Sequence, residues 1–331
     1  MNSFGNNLKI TIFGESHSEQ IGIVVDGMPS GIKINIDDFS EDLNRRNPNI
    51  IGTTKRKELD NLKIISGVFN DYSTGAPVTI IVENTNQQSS DYQKNKYRPS
   101  HSDFVASKKY NGYNDYRGGG MFSGRMTVGL VIAGVLAKKL LKKIDIKAHI
   151  ISIGGVKCRD INKEIIDLIT SAKEQGDSLG GVIECCIKGV PVGIGEPFFY
   201  GIESVLSHLI FSIPGIVGIE FGDGFSIADK RGSTLNDLYI NSEGKTLTNH
   251  YGGINGGISN GNDIVFRVAV RPPASILLPQ KTFDFERKEI TEQVIYGHHD
   301  TCFAIRTPVI IEAVSAIVVA DLISFDSSSK T

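Results

Sequence analysis

Three short stretches of the chain carry residue types that transfer protons or bind anions. The first is the turn Gly14-Glu15-Ser16-His17, which follows an alternating apolar segment near the start of the sequence. A histidine in such a turn can donate or accept a proton near neutral pH. Taken by itself, however, it is more often a turn residue bonded to the backbone, so His17 needs support from elsewhere.

The second stretch runs from Arg98 to Arg125 and combines guanidinium groups, His101, several hydroxyls and three successive glycines from Gly118 to Gly120. Guanidinium groups bind phosphate or carboxylate through two parallel hydrogen bonds, and glycine amides at a helix start add further donors. Composition alone supports an oxyanion site and a solvated basic loop equally.

The third stretch is His298-His299-Asp300. Adjacent side chains rarely bind one metal ion, and no further ligands stand at a suitable spacing, so we expect a proton-transfer loop and no metal. A glycine-rich segment from Asn249 to Gly261 lacks the GxGxxG spacing of dinucleotide-binding folds, and it is typical of a long hairpin.

These stretches need elements to position them. The 123–143 segment contains small residues at helical spacing, which predicts a buried central helix. The second half repeats the outline of the first, so we expect one domain over 1–331 with pseudo-repeats of about 1–145 and 146–325. Period-two alternation predicts largely antiparallel strands at 8–12, 32–36, 62–66, 77–82, 146–153, 182–190 and 265–270. Capping residues and helical spacing predict helices at 38–44, 103–111, 123–143, 161–175, 202–211 and 308–322.

Composition excludes several classes of protein. The 331 residues include 37 acidic and 35 basic side chains, and the net charge of −2 argues against a nucleic-acid or membrane-surface binder. Four cysteines without a CxxC pattern favour a reduced, cytoplasmic setting. The longest apolar run, Val309 to Leu322, is interrupted by Glu312 and Asp321, so no membrane span is expected.

The order and content of longer strings resemble the chorismate synthase family. The similarity runs colinearly from about Ile10 to Leu322, which is far more specific than any single motif. The strings are GESHSEQIGIVVDGMP, DLNRRNP, KRKELDNLKIISGVF, STGAPV, RPSHSDF, KYNGYNDYRGGG, GDSLGG, GVPVGIGEP, NHYGGINGGISNG and GHHDTCFAIRTPVIIEA.

The resemblance implies a fold and an activity. The fold is α+β, a β-α-β sandwich of two antiparallel sheets around long central helices, usually as a homotetramer. The activity is trans elimination of phosphate from 5-enolpyruvylshikimate 3-phosphate to give chorismate, the last common step of aromatic amino-acid biosynthesis. It uses reduced FMN without net redox change. NADPH would act only indirectly, and we favour an external flavin reductase as the partner that reduces the flavin.

The resemblance also implies roles for single residues. His17 matches the histidine that protonates the departing phosphate, His101 the one that protonates reduced flavin, and Asp300 the acid that helps remove a proton through the flavin. Substrate contacts fall on Arg46, Arg98 and Arg125. Flavin contacts fall on Ser123, Gly215, Asn249, Gly256, Arg271, Ala274, Ser275 and His298.

Several positions depart from the family pattern, and they cluster at these ligand contacts. Met121 and Met126 replace an arginine and a glutamate, Arg271 replaces a lysine, and His298 replaces an arginine. Two alternatives to a working synthase therefore stay open: a non-catalytic ligand-binding paralogue with an impaired FMN site, and the same fold acting on another phosphorylated enol ether.

Overall fold

The computed structural model describes residues 1–47, 51–53, 60–85, 92–297 and 299–329. The first half of the chain forms a five-stranded antiparallel sheet of order β1-β2-β3-β7-β4, with β5 and β6 as a separate short hairpin. The strands are β1 Ser3–Phe4, β2 Lys9–Gly14, β3 Gln20–Asp26, β4 Leu62–Ser66, β5 Val68–Phe69, β6 Tyr72–Ser73 and β7 Val78–Glu83.

The second half forms another five-stranded antiparallel sheet, of order β11-β14-β10-β8-β9, and two further hairpins, β12-β13 and β15-β16. The strands are β8 Asp145–Ile153, β9 Val156–Lys157, β10 Gly181–Lys188, β11 Ile216–Phe221, β12 Ile254–Asn255, β13 Ile258–Ser259, β14 Ile264–Val270, β15 Gln280–Asp284 and β16 Glu289–Gln293. The helices are α1 Ser40–Arg46, α2 Asp103–Lys109, α3 Thr127–Leu140, α4 Lys163–Glu174, α5 Ile202–Ile210, α6 Gly232–Leu235 and α7 Thr307–Ser329.

Helices α3 and α7 lie side by side between the two sheets, with α3 on β3 and α7 on β8 and β10. Every α3 residue from Thr127 to Ala137 is buried. The helices approach closely at Gly134, where an added Cβ would lie 2.3 Å from the Ala313 Cβ. This arrangement confirms the predicted β-α-β sandwich.

Helix α7 carries two buried carboxylates, and both accept hydrogen bonds from other parts of the protein. Glu312 accepts two hydrogen bonds of 2.7 Å from the Arg45 guanidinium and one of 3.0 Å from the Ala148 amide. Asp321 accepts from the backbone amides of Asn6, Asn7 and Leu8. Residues 303–324 are long and apolar enough to cross a membrane, but 83% of their most apolar window is buried inside the protein, as expected of a core helix.

Most of the predicted elements are confirmed, but the strand at 32–36 is wrong. Lys33 forms one isolated bridge to Tyr72, and a 3-10 turn then leads into α1. The reason is a capping box: the Asn35 amide donates to the Asp38 carboxylate at 2.7 Å, which starts the helical turn earlier than the predicted cap at Asp38. The pseudo-repeats stay a prediction.

Candidate active site

A cavity of about 550 Å³, a size typical of small-molecule sites, opens where loops of both halves meet. It brings together most of the predicted site residues. Those that line it are Arg46, Arg98, His101, Ser123, Arg125, Gly215, Arg271, Ala274, Ser275 and Asp300.

His17 stands behind the cavity wall. Its ring meets the Tyr92 ring edge-on with centroids 5.4 Å apart, and both Tyr92 and the neighbouring Ser16 line the cavity. The backbone at Gly118 also approaches the His17 ring, and only glycine fits there: its φ is +58°, and an added Cβ would lie 2.6 Å from the ring. The glycine run therefore brings backbone against a buried histidine.

Two predicted flavin contacts do not line the cavity, and a third cannot be placed. The Asn249 side-chain amide donates to the Asp263 carbonyl at 2.8 Å. Gly256 sits in the turn between β12 and β13, and an added Cβ there would meet nothing within 4 Å. His298 lies outside the described residues. The roles of these three residues stay predictions.

Asp60 joins two arginines at one end of the cavity. Its two carboxylate oxygens accept from Arg46 Nη2 at 2.8 Å and from Arg125 Nη1 at 2.5 Å, and all three side chains are buried. Burial opposes ionisation of Asp60, but the two guanidiniums outweigh burial and lower its pKa. Arg125 is further fixed by Asn84 Oδ1 at 3.0 Å. The pair of cations is thus held in place before any ligand binds.

Asp103 joins a histidine and an arginine at another wall. Its Oδ1 lies 2.7 Å from His101 Nδ1 and accepts from Arg98 Nη2 at 2.8 Å, while its Oδ2 accepts from Arg98 Nε at 2.7 Å. Burial would raise the pKa of Asp103, but hydrogen bonds from Arg98 and His101 prevail and hold it well below the usual range. Arg98 Nη1 also reaches Ser275 Oγ at 3.3 Å, which links the predicted substrate and flavin contacts.

A third ion pair joins Asp300 to Arg306, whose Nη2 lies 3.0 Å from the carboxylate. The Nε atoms of Arg306 and Arg46 are buried and have no hydrogen-bond partner among the described residues. Both arginines line the cavity. Buried donors without partners are unfavourable, and the guanidinium groups that carry them add positive charge to the cavity wall.

A model of the family described as "Chorismate synthase" matches residues 8–324 of the chain. The chorismate synthase of Chitinophaga pinensis is 48% identical over 333 residues, covering 100% of this chain and 98% of that protein. The chorismate synthase of Thermococcus gammatolerans is 42% identical, covering 96% of each. A solved structure, "Crystal Structure of Chorismate Synthase", superposes with a TM-score of 0.76 at 26% identity, over 98% of this chain and 93% of that chain.

The chain belongs to the chorismate synthase family.

In this chorismate synthase family member, the cavity suits an anionic, partly planar cofactor. Five arginines and Phe303 line it, and Gly124 and Gly215 lie against the Phe303 ring: an added Cβ would lie 3.4 Å from the ring at Gly124 and 3.5 Å at Gly215. The donor set therefore fits the phosphate and ring system of FMN. Within the described ranges, no group of three or more His, Cys, Asp or Glu side chains could hold a metal ion.

Sequence reasoning missed Asp60 and Arg306, two charged residues that pair with cavity-lining side chains. Both lie inside strings that carry the resemblance, KRKELDNLKIISGVF and GHHDTCFAIRTPVIIEA, so the signal was present. It was not decisive, because an acid beside a predicted strand and an arginine before a predicted helix are both ordinary surface residues. Only the fold shows that they are buried against other charged groups.

Proposed function

We propose that the protein is a working chorismate synthase, which eliminates phosphate from 5-enolpyruvylshikimate 3-phosphate to give chorismate. The observation that carries the proposal is the gathering of five arginines and the proton-transfer candidates His101 and Asp300 around one cavity. The family match and the names of the relatives support this function over the non-catalytic alternative. The five arginines are Arg46, Arg98, Arg125, Arg271 and Arg306.

Substrate binding is the task of Arg46, Arg98 and Arg125. The substrate carries one phosphate and two carboxylates, and guanidinium groups in a partly buried cavity bind such anions strongly. Carboxylates of the protein already hold all three arginines in place. Because their positions are fixed, little reorganisation is needed when negative charge builds up on the departing phosphate.

Proton transfer is the task of two histidines and one acid. His17 packs beside Ser16 and Gly118, which line the cavity, and the family resemblance assigns it the protonation of the departing phosphate. His101 would deliver its proton to the reduced cofactor, and Asp300 would take part in removing the substrate proton. Side chains used in this way contribute about 10²- to 10⁴-fold to a rate.

Reduced FMN, when bound, supplies the electron-rich ring that assists C–O bond cleavage without net redox change. Ser123, Gly215, Arg271, Ala274 and Ser275 would hold it. The Arg271 amide donates to the Gly215 carbonyl at 2.9 Å, so two of these contacts are joined by backbone. Arg271 Nη1 donates to the Ser100 carbonyl at 2.7 Å, which holds its guanidinium at the cavity wall. Met121 adds apolar surface where the family has a charge.

The proposed assembly is a homotetramer in the cytoplasm, supplied with reduced flavin by an external reductase that consumes NADPH. Exposed large apolar side chains support the assembly, since exposed apolar surface often marks a site where another protein binds. They are Phe198, Phe199, Tyr200, Phe225, Leu238, Tyr239 and Ile240.

An anaerobic assay tests the activity. The protein is mixed with 5-enolpyruvylshikimate 3-phosphate and chemically reduced FMN, and phosphate release and chorismate absorbance are followed together. We expect both products in equal amounts. Tight substrate binding in a calorimeter without either product would instead establish the non-catalytic paralogue.

Substitution of His101 tests the proton-transfer role. We expect His101→Ala to lower kcat by about 10²- to 10⁴-fold while leaving folding and assembly unchanged, because the side chain is partly exposed at the cavity. His149→Ala is the matched control, since His149 Nε2 also stands beside an acid, 3.7 Å from Glu184, and does not line the cavity. Unchanged turnover in His101→Ala would remove His101 from the mechanism.

A further inference from the structure

The contacts of the His101 ring limit which of its nitrogens can exchange a proton. Nδ1 has three neighbours: Asp103 Oδ1 at 2.7 Å, Arg98 Nη2 at 3.1 Å and Ser102 Oγ at 3.4 Å. A carboxylate only accepts hydrogen bonds and a guanidinium only donates them, so Nδ1 cannot satisfy both. The shorter contact, to Asp103, requires a hydrogen on Nδ1.

Asp103 is fixed firmly enough to impose this choice. Its second oxygen accepts from Arg98 Nε at 2.7 Å and from the Arg98 backbone amide at 3.1 Å, and its side chain is only 11% exposed. Asp103 also starts α2, after Ser102, which anchors its backbone. Hydrogen bonds from Arg98 and His101 hold the pKa of Asp103 well below the usual range, which favours the ionised carboxylate, a group that only accepts hydrogen bonds.

The other edge of the ring lies against the glycine run. An added Cβ at Gly119 would lie 3.3 Å from His101 Cε1 and 3.7 Å from Nε2, and the φ of Gly119, +84°, favours glycine. No side chain therefore covers this edge from Gly119. With Nδ1 committed to Asp103, Nε2 is the nitrogen left for ligand.

We propose that Asp103 is a positioning residue that fixes His101 with its hydrogen on Nδ1, so that the proton His101 exchanges with a bound ligand is carried by Nε2. The same carboxylate sets the position of Arg98, which couples a substrate contact to the proton-transfer histidine. This inference rests on the role proposed for His101, and it adds the residue that orients it.

A double-mutant cycle tests whether Asp103 acts through His101. Asp103→Asn keeps the size of the side chain, but its amide can present either oxygen or nitrogen to Nδ1, so the ring is no longer fixed. We expect kcat to fall about 10²-fold in Asp103→Asn, within the contribution of a general acid. In the His101→Ala background the same change should lower kcat by less than twofold, because the residue it orients is gone.

An equal fall in both backgrounds would overturn the proposal, since it would mean that Asp103 acts through Arg98 or through folding. Substrate affinity, measured by calorimetry, reports separately on the loss of the contact between Asp103 and Arg98. The fold-decrease in affinity should not exceed the fold-decrease in kcat. Glu184→Gln should change neither quantity, because its histidine partner stands on the sheet β8-β10.

A spectroscopic measurement keeps the inference testable if the protein has no turnover. In histidine labelled with ¹⁵N, the two ring nitrogens give distinct shifts, and His101 is assigned by its loss in His101→Ala. We expect the neutral ring of the wild-type protein to be protonated at Nδ1, and a mixture of both forms in Asp103→Asn. Protonation at Nε2 in the wild-type protein would refute the inference, whatever the assay shows.

Discussion

Replacing Asp60 by asparagine tests whether one buried carboxylate holds the two arginines together. In the wild-type protein, Arg46, Arg125 and Asp60 have side chains 5%, 6% and 5% exposed. Asp60→Asn keeps the shape but removes the charge, so two guanidiniums face each other with little water between them. Removing one partner of a buried ion pair costs about 3 to 5 kcal/mol.

That loss is large enough to measure by thermal unfolding. At roughly 2 °C per kcal/mol for a chain of this size, the midpoint should fall by about 6 to 10 °C. Glu184→Gln, which removes a half-exposed acid next to a histidine, should lower it by less than about 2 °C.

Inorganic phosphate gives the second half of the test. An anion that binds the folded protein stabilises it, and tighter binding stabilises it more. The variant presents two cations that no longer share a carboxylate. We therefore expect phosphate to raise the unfolding midpoint more in Asp60→Asn than in the wild-type protein. A concentration of roughly 10 mM is used, because it exceeds a Kd of about 1 mM. A midpoint within 2 °C of wild type and the same response to phosphate would refute the reasoning (2 °C being about 1 kcal/mol).

Three further outcomes follow from packing and charge. Gly134→Ala should lower the free energy of unfolding in urea by about 1 to 3 kcal/mol, because its Cβ would lie 2.4 Å from the Ala313 Cα. Gly129→Ala on the same helix is the control and should be tolerated, because its Cβ would meet its nearest atom at 3.6 Å. Equal effects of the two substitutions would contradict this reasoning. Asp321→Ala should lower stability by at least about 1.5 to 3 kcal/mol, since three backbone amides lose a charged acceptor, and an unchanged urea midpoint would count against that contact. Burial, reinforced by the charge of Arg98, lowers the pKa of His299 in the folded protein. Below about pH 6.5 the unfolded chain therefore binds more protons than the folded protein, and the free energy of unfolding should fall as the pH drops through that range. His299→Gln should flatten this dependence of stability on pH, and an identical slope would exclude His299 as its cause.

The sequence was sufficient for elements whose pattern is strong. In β7, the strand predicted at 77–82, the alternating residues Val78, Ile80 and Val82 are all buried in the core of the protein. The alternation at Ile32, Ile34 and Ile36 is equally regular, yet no strand forms there, because the cap at Asn35 begins a helical turn. The segment pairs with β6 only around Lys33, and the cap at Asn35 ends the ladder there, so local capping outweighs period-two spacing.

The site was predictable only in part for a similar reason. The resemblance identified Arg46, Arg98, Arg125 and His101, and the fold brings them to one cavity. Asp103 lies only two positions from His101, but Asp60 could not be selected from the sequence, since it lies 65 positions from its partner Arg125. Long-range pairing of charges depends on the complete fold.

The central position of α7 bears on how the chain folds while it is being made. Synthesis proceeds at about 5 to 20 residues per second, so roughly ten to thirty seconds pass between the completion of α3 and the start of α7. Until then, the α3 surface around Gly134 and the inner face of β8 lack the helix that covers them. A nascent chain of this protein thus exposes its future core for many seconds, which makes it a natural client for chaperones that shield apolar surface during translation.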